Sequence, residues 1–313
     1  MIEAVEQRPI RAEDGASGLV RGAELGLSWV TRHLDAFIPW EDDQVSLASL
    51  KRLGDLSFPC SYLHAWQTSA SCARLPLAQH LPRWEALLLR CCEDSRFLDA
   101  ALADPEEGLY RMQLYGWLRV MGYRSARCED VMRQLWRRGC TPRSVGALHC
   151  LWKAGYVRRE PDWAALCREH VLSREACVDS LDVKTTYRVT HALFYATDFG
   201  NQALPLPKGE ADRVAGVVER LLHRYHLRGK WDVVGELLIN LVCLGRHGSA
   251  LYDRALRAFT GARLPGGAIP MNRDFEQEFH AAEGRMPDSE VFRWCHHPTL
   301  VELVHCAAAL RTW

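Results

Sequence analysis

Lysine is scarce in this 313-residue chain: Lys51, Lys153, Lys184, Lys208 and Lys230 are its only lysines, and arginine supplies the rest of the 39 basic residues. With frequent Ala, Leu and Gly, that bias points to a GC-rich genome more than to a mechanism. Net charge is missing too, because 39 acidic residues balance the basic ones. No whole-molecule field draws in phosphate, and no nucleic-acid partner is expected. No apolar run reaches the ~18 residues that span a bilayer, and Met1-Ile2-Glu3-Ala4-Val5-Glu6 has neither the basic start nor the apolar core of a signal peptide. The expectation is a cytoplasmic protein with no membrane partner. The twelve cysteines include no C-x-x-C pair, and several sit inside apolar runs, as Cys150 before Leu151 and Cys243 after Val242. They read as buried thiols in a reducing compartment. A P-loop, a G-x-G-x-x-G turn, a nucleophile elbow and an H-E-x-x-H helix are all absent, so ATP, NAD and α/β-hydrolase chemistry are not expected and no cofactor is implied.

Period-two alternation hardly occurs, whereas apolar residues return at every third and fourth position, which predicts an all-α fold. After a polar, mobile segment 1–15, helices are expected over about 18–34, 44–55, 60–70, 82–92, 94–104, 106–121, 126–138 and 142–155, with Pro82 and Pro142 in first turns. Further helices are expected over about 160–171, 181–198, 209–226, 230–245 and 247–259, and a last one starts at His296-His297-Pro298. Short breaks between helices of similar length make antiparallel hairpins, stacked either as an open solenoid or as a closed α/α toroid in one large domain over 16–313. The Pro-containing loop 200–208 is the candidate lid or joint. Met132 to Pro142 looks slightly like an RNA-reading pentatricopeptide unit, but it occurs once and carries no argument.

Ionisable side chains on apolar helix faces are the main hint of chemistry. In the run Thr185 to Gly200, seven helical steps bring Asp198 to within about 20° of His191, with Tyr187 on the same side. The two are then ~10.5 Å apart along the axis, too far to bond each other but able to flank one ligand. An aspartate before a glycine C-cap meets the negative end of the helix dipole, so Asp198 needs a cationic partner or a raised pKa. Within Trp231 to Leu244, Glu236 and Asn240 form a narrow polar stripe at i and i+4. In a solenoid that stripe faces water, and in a toroid it faces a central pocket. Of the adjacent His296 and His297, at most one is expected to point inward. A two-histidine, one-carboxylate metal site can be written from His191, His297 and Asp198, with no motif to support it.

The stretches Thr190 to Gly200, Trp231 to Leu238 and His297 to Val301 resemble an uncharacterised all-helical family seen in actinobacteria, over about residues 180–311. The resemblance implies ancestry and no activity. In architecture alone the chain is similar to α/α-toroid enzymes such as terpene and lanthionine cyclases, but it lacks the D-x-D-D acid motif of the former and the Cys-His zinc spacing of the latter.

The expectation drawn from these readings is an enzyme of bacterial specialised metabolism. It would do cofactor-independent acid–base chemistry, whether cyclisation, isomerisation or hydrolysis, on a hydrophobic small molecule or modified peptide. Asp198 is the expected acid, His191 the base, and Tyr187, Glu236 and His297 complete the catalytic set. Thr190, Phe194, Asn240 and Trp231 are the expected substrate contacts. The alternatives are a helical-repeat interaction scaffold and a mononuclear metal enzyme. Nothing in the sequence defines the oligomeric state.

Overall fold

The computed structural model describes residues 12–41 and 44–312. Fifteen α-helices carry the fold among the described residues. They are α1 Ala12–Arg32, α2 Leu47–Trp66, α3 Leu77–Glu93, α4 Ser95–Ala103, α5 Pro105–Arg111, α6 Gln113–Val120, α7 Ala126–Arg137 and α8 Val145–Lys153. Then come α9 Trp163–His170, α10 Val183–Ala196, α11 Lys208–Leu227, α12 Trp231–Cys243, α13 Ala250–Gly261, α14 Arg273–Ala281 and α15 Asp288–Leu310. A two-residue hairpin, Trp40–Glu41 against Gln44–Val45, is the one strand pairing among the described residues. The fold is all-α, as the three- and four-residue periodicity predicts.

Six of these helices close a ring. α2 packs on α6, α6 on α8, α8 on α10, α10 on α12, α12 on α15, and α15 returns to α2. Their contacts advance in step. Gln113 and then Arg119 of α6 meet Cys150 and Ala154 of α8 or just past it. Gly146 and then His149 of α8 meet Tyr195 and Asp198. Tyr187 and then Thr190 of α10 meet Asp232 and Glu236 of α12. Asp55 and then Tyr62 of α2 meet His297 and Arg311 at α15. α12 joins α15 in the same sense, with Glu236 against His297 and Cys243 toward Arg311, so the six inner helices run parallel, with the return helices outside, α1 and α3 among them. This is the closed toroid, not the open solenoid.

Local chemistry sets the starts of the inner helices. Side-chain caps come from Ser46 for α2, Ser144 for α8 and Asp182 for α10, where the Asp182 carboxylate accepts the Thr185 N–H at 2.7 Å. Close approach needs small residues. A Cβ on Gly116 would lie 2.5 Å from Cys150 Sγ, and one on Gly235 2.7 Å from Val301.

Several boundaries differ from expectation, and proline explains most of them. The mobile segment expected over 1–15 lies outside the described residues as far as residue 11, and α1 already begins at Ala12. Pro59 and Pro82 sit inside α2 and α3 instead of breaking or starting them. Pro298 lies in the interior of α15, which starts at Asp288 instead of His296. A proline cannot donate to the carbonyl four residues back, but the carbonyl that Pro298 leaves, Trp294, accepts the Met271 N–H at 2.8 Å. The chain before α14 thus repairs the helix and lets it continue. The segment 200–208 is the connection between α10 and α11. No helix among the described residues is long and apolar enough to cross a membrane.

Candidate functional site

The ring encloses a cavity of about 850 Å³. Its polar wall is built on α12, where Glu236 is only 2% exposed. Glu236 Oε1 lies 3.4 Å from His191 Nε2 on α10 and 3.4 Å from His297 Nε2 on α15. Its other oxygen accepts the Thr190 hydroxyl. On the far side of His297, Nδ1 is 3.9 Å from Asp55 Oδ2, and His296 Nε2 reaches the same oxygen at 3.6 Å. Both nitrogens of His297 therefore face carboxylates.

The ionisation states follow from this placement. Burial works against the charged form of His297, but the hydrogen bond to Glu236 and the charges of Asp55, Glu236 and Asp232 outweigh it and lift its pKa to about 9. Burial would raise Glu236, yet the His191 and His297 imidazoles bring it down to about 2. Asp55 is also pushed up by burial and pulled down further by His296, His297 and Lys51, so it sits below the ordinary carboxylate value. One turn earlier on α12, burial raises Asp232, whose carboxyl accepts the Tyr187 hydroxyl. Burial and the Asp232 charge keep the Tyr187 phenol protonated. Beyond this layer the cavity is aromatic. Phe58 stacks on Phe199 at 4.2 Å, Phe194 stacks on Phe199 at 5.1 Å, and Trp117 meets Phe58 edge-on at 5.2 Å.

Of the nine residues singled out from the sequence, Tyr187, His191, Phe194, Glu236 and His297 line this cavity. Thr190 is buried behind it and holds Glu236. Asn240 is equally buried, one turn after Glu236, and its amide donates to the Glu236 carbonyl at 2.9 Å. Trp231 is elsewhere: its indole donates to Glu276 at 3.0 Å beside a separate shallow cleft. His296 and His297 both line the cavity, contrary to the expectation for neighbours, because one carboxylate, Asp55, sits between them.

Asp198 is the main correction. The helix that was to align it with His191 ends at Ala196, and Asp198, Phe199 and Gly200 are left-handed at φ 44°, 54° and 82°. The turn swings the carboxylate onto α8, away from the cavity lining. There Oδ1 meets His149 Nε2 at 3.0 Å and Oδ2 accepts from Lys153 at 2.8 Å. Burial alone would raise its pKa, but these two partners hold it well below the carboxylate range, which is the wrong direction for an acid. A left-handed Phe costs roughly 1–2 kcal/mol, and this clamp offsets that cost while aiming Phe199 into the cavity. We expect Asp198→Ala to lower unfolding free energy by about 2 kcal/mol, read by urea denaturation, with the His297 ionisation still near 9 by NMR. A shifted His297 titration would give Asp198 a part in the acid–base layer after all.

With Asp198 removed, the trio His191, His297 and Asp198 is not assembled, and among the described residues no group of three or more His, Cys, Asp or Glu is placed to hold a metal ion. The sequence reading missed Asp55, which lies between the apolar Leu53 and Leu56 on a helix that looked broken at Pro59. An acid within an apolar run was the available signal. It also missed Asp232 and the His149–Lys153 clamp, which only the fold brings together.

The chain belongs to the family described as a domain of unknown function, DUF6895, whose model matches residues 23–307. The match extends beyond the C-terminal half that carried the resemblance and takes in five inner helices of the ring whole and α15 as far as residue 307. No curated protein and no solved structure matches the chain.

Proposed function

We propose that the protein is an enzyme that moves a proton on a hydrophobic small molecule held in the central cavity, in an isomerisation or cyclisation. The observation that carries this reading is the buried Glu236 carboxylate shared by two cavity-facing imidazoles. A charge in so dry a place is costly to the fold, and such arrangements cluster where chemistry is done. His297 is the acid, since carboxylates at both of its nitrogens keep it charged. His191 is the base, taking a substrate proton while Glu236 stabilises the imidazolium it becomes. The two protons exchanged leave His191 charged and His297 neutral, and Glu236 Oε1, within reach of both, carries the proton back. Tyr187, tied to Asp232, positions the substrate through its ring, whose centroid is 6.0 Å from His191 and 6.4 Å from His297. A modified peptide of similar size remains within the substrate class. Convergence of these side chains inside a closed ring supports an enzyme over an interaction scaffold, which would use an open concave face.

The pH profile tests it. With His297 charged below about 9, turnover should fall as pH rises through about 9. His297→Asn should remove that alkaline limb along with most of the rate. Turnover that instead rises through pH 9 would overturn the assignment of His297 as the acid.

A further inference from the structure

The cavity wall has a surplus of positive charge that the acid–base layer does not use. Although the whole chain is neutral, the cavity is lined by five arginines and a lysine against two carboxylates, Asp55 and Glu236, both of which face histidines. Arg111 and Arg143 are engaged by Asp104 and Glu106. Arg188 and Arg293 are exposed at the mouth with no ion-pair partner among the described residues.

Their position follows from the parallel ring. Arg188 precedes His191 by three residues on α10, Arg293 precedes His297 by four on α15, and Lys51 precedes Asp55 by four on α2. At 1.5 Å per residue, each cation lies about 4.5–6 Å nearer the N-terminal end of its helix than the acid–base group it accompanies. Because α2, α10 and α15 run the same way, all three cations lie on one side of the acid–base layer. One turn in the other direction come Phe58, Phe194 and Val301, with Phe199 closing the aromatic wall. The cavity is thus layered: cations, then acid–base groups, then apolar and aromatic walls.

We propose that the substrate is an amphiphile whose anionic group, a carboxylate or phosphate, is bound by Arg188 and Arg293 at the mouth, with its apolar body against Phe58, Phe194 and Phe199. Its reacting atom lies about one helical turn from the anionic group, that is, within a few bonds of it. This last statement rests on the acid–base reading above, whereas the binding of the anion does not. Guanidinium forks suit both oxyanions, and the aromatic layer excludes water from the other end of the ligand.

The test uses the full chain and three probes of one shape: 4-phenylbutanoate, 4-phenylbutyl phosphate and the neutral 4-phenylbutanamide, with affinities from titration calorimetry. At least one anion should bind tenfold or more tightly than the amide, and the preferred one identifies carboxylate or phosphate as the source. In the Arg188→Gln/Arg293→Gln double variant that preference should disappear, with amide binding within twofold of wild type. Both side chains are exposed, so the variant keeps the fold, which circular dichroism verifies. An amide that binds as tightly as the anions, a preference that survives in the double variant, or no binding of any probe at millimolar concentration would overturn the proposal. The pH profile uses none of these ligands, so failure of the acid–base reading is seen separately.

Discussion

Replacing Glu236 with glutamine will lower turnover by about 10³-fold and bring the ionisation of His297 down from about 9 toward the ~6.5 of free imidazole. Glutamine has the same shape and its carbonyl oxygen still accepts the Thr190 hydroxyl, so the wall is preserved and only the charge is removed. What is lost is the anion that keeps His297 protonated and that would stabilise a protonated His191. The His297 titration, followed by NMR on the imidazole, needs no substrate. Since a raised histidine pKa adds stability that is full below ~6.5 and lost as pH rises through about 9, the native protein should also lose stability across that window, and the variant should lose less. An unmoved His297 titration in Glu236→Gln would show that the two groups are not coupled and would remove the core of the catalytic proposal.

The second large effect lies away from the cavity, where α15 packs on α1. Glu302 is fully buried there, and its carboxylate is met by Arg263, whose other nitrogen donates to the Gly267 carbonyl at 2.9 Å. Burial pushes the Glu302 pKa up to about 7 against the pull of Arg263. Removing one partner of a buried pair strands the other, and Arg263→Ala should cost about 3–5 kcal/mol at pH 8. The sign of the pH dependence is specific. A carboxyl whose folded pKa exceeds its unfolded value contributes stability below the unfolded value and loses it as pH rises through the folded one, here about 7. Without Arg263 that pKa climbs further, so the penalty should shrink at pH 5, where Glu302 is protonated in both proteins. Denaturant unfolding at the two pH values measures this. An equal loss at both would mean that Arg263 acts through its packing and its bond to Gly267, not through charge.

Much of the cavity's acid–base wall can be read from the sequence because helical periodicity is a local property. Tyr187, His191 and Phe194 fall on one face at spacings of three and four, and Glu236 is an acid in an otherwise apolar helix. Whether such a stripe meets water or a cavity depends on ring closure, and closure depends on α15 reaching α2, which no local pattern encodes. Asp198 was misplaced for a related reason. The periodicity continues past Ala196, but two left-handed residues before Gly200 end the helix, and the partners of Asp198, His149 and Lys153, lie 49 and 45 positions upstream. Asp55 and the interior prolines failed together. Pro59 and Pro298 look like breaks when read locally, and for Pro298 the donor that makes the helix continuous comes from the distant Met271.

Because the ring closes between α2 and α15, His297 and Asp55 come from opposite ends of the described chain. During synthesis Asp55, His191 and Glu236 leave the ribosome before residues 288–310, so the chain at that point holds five of the six inner helices and a Glu236 without its second imidazole. Docking of α15 on α1 and α2 joins the parts of the described chain that lie farthest apart in sequence, the kind of contact whose loop-closure cost is highest. On the proposed reading, a chain cut before α15 lacks His297 and should show no turnover.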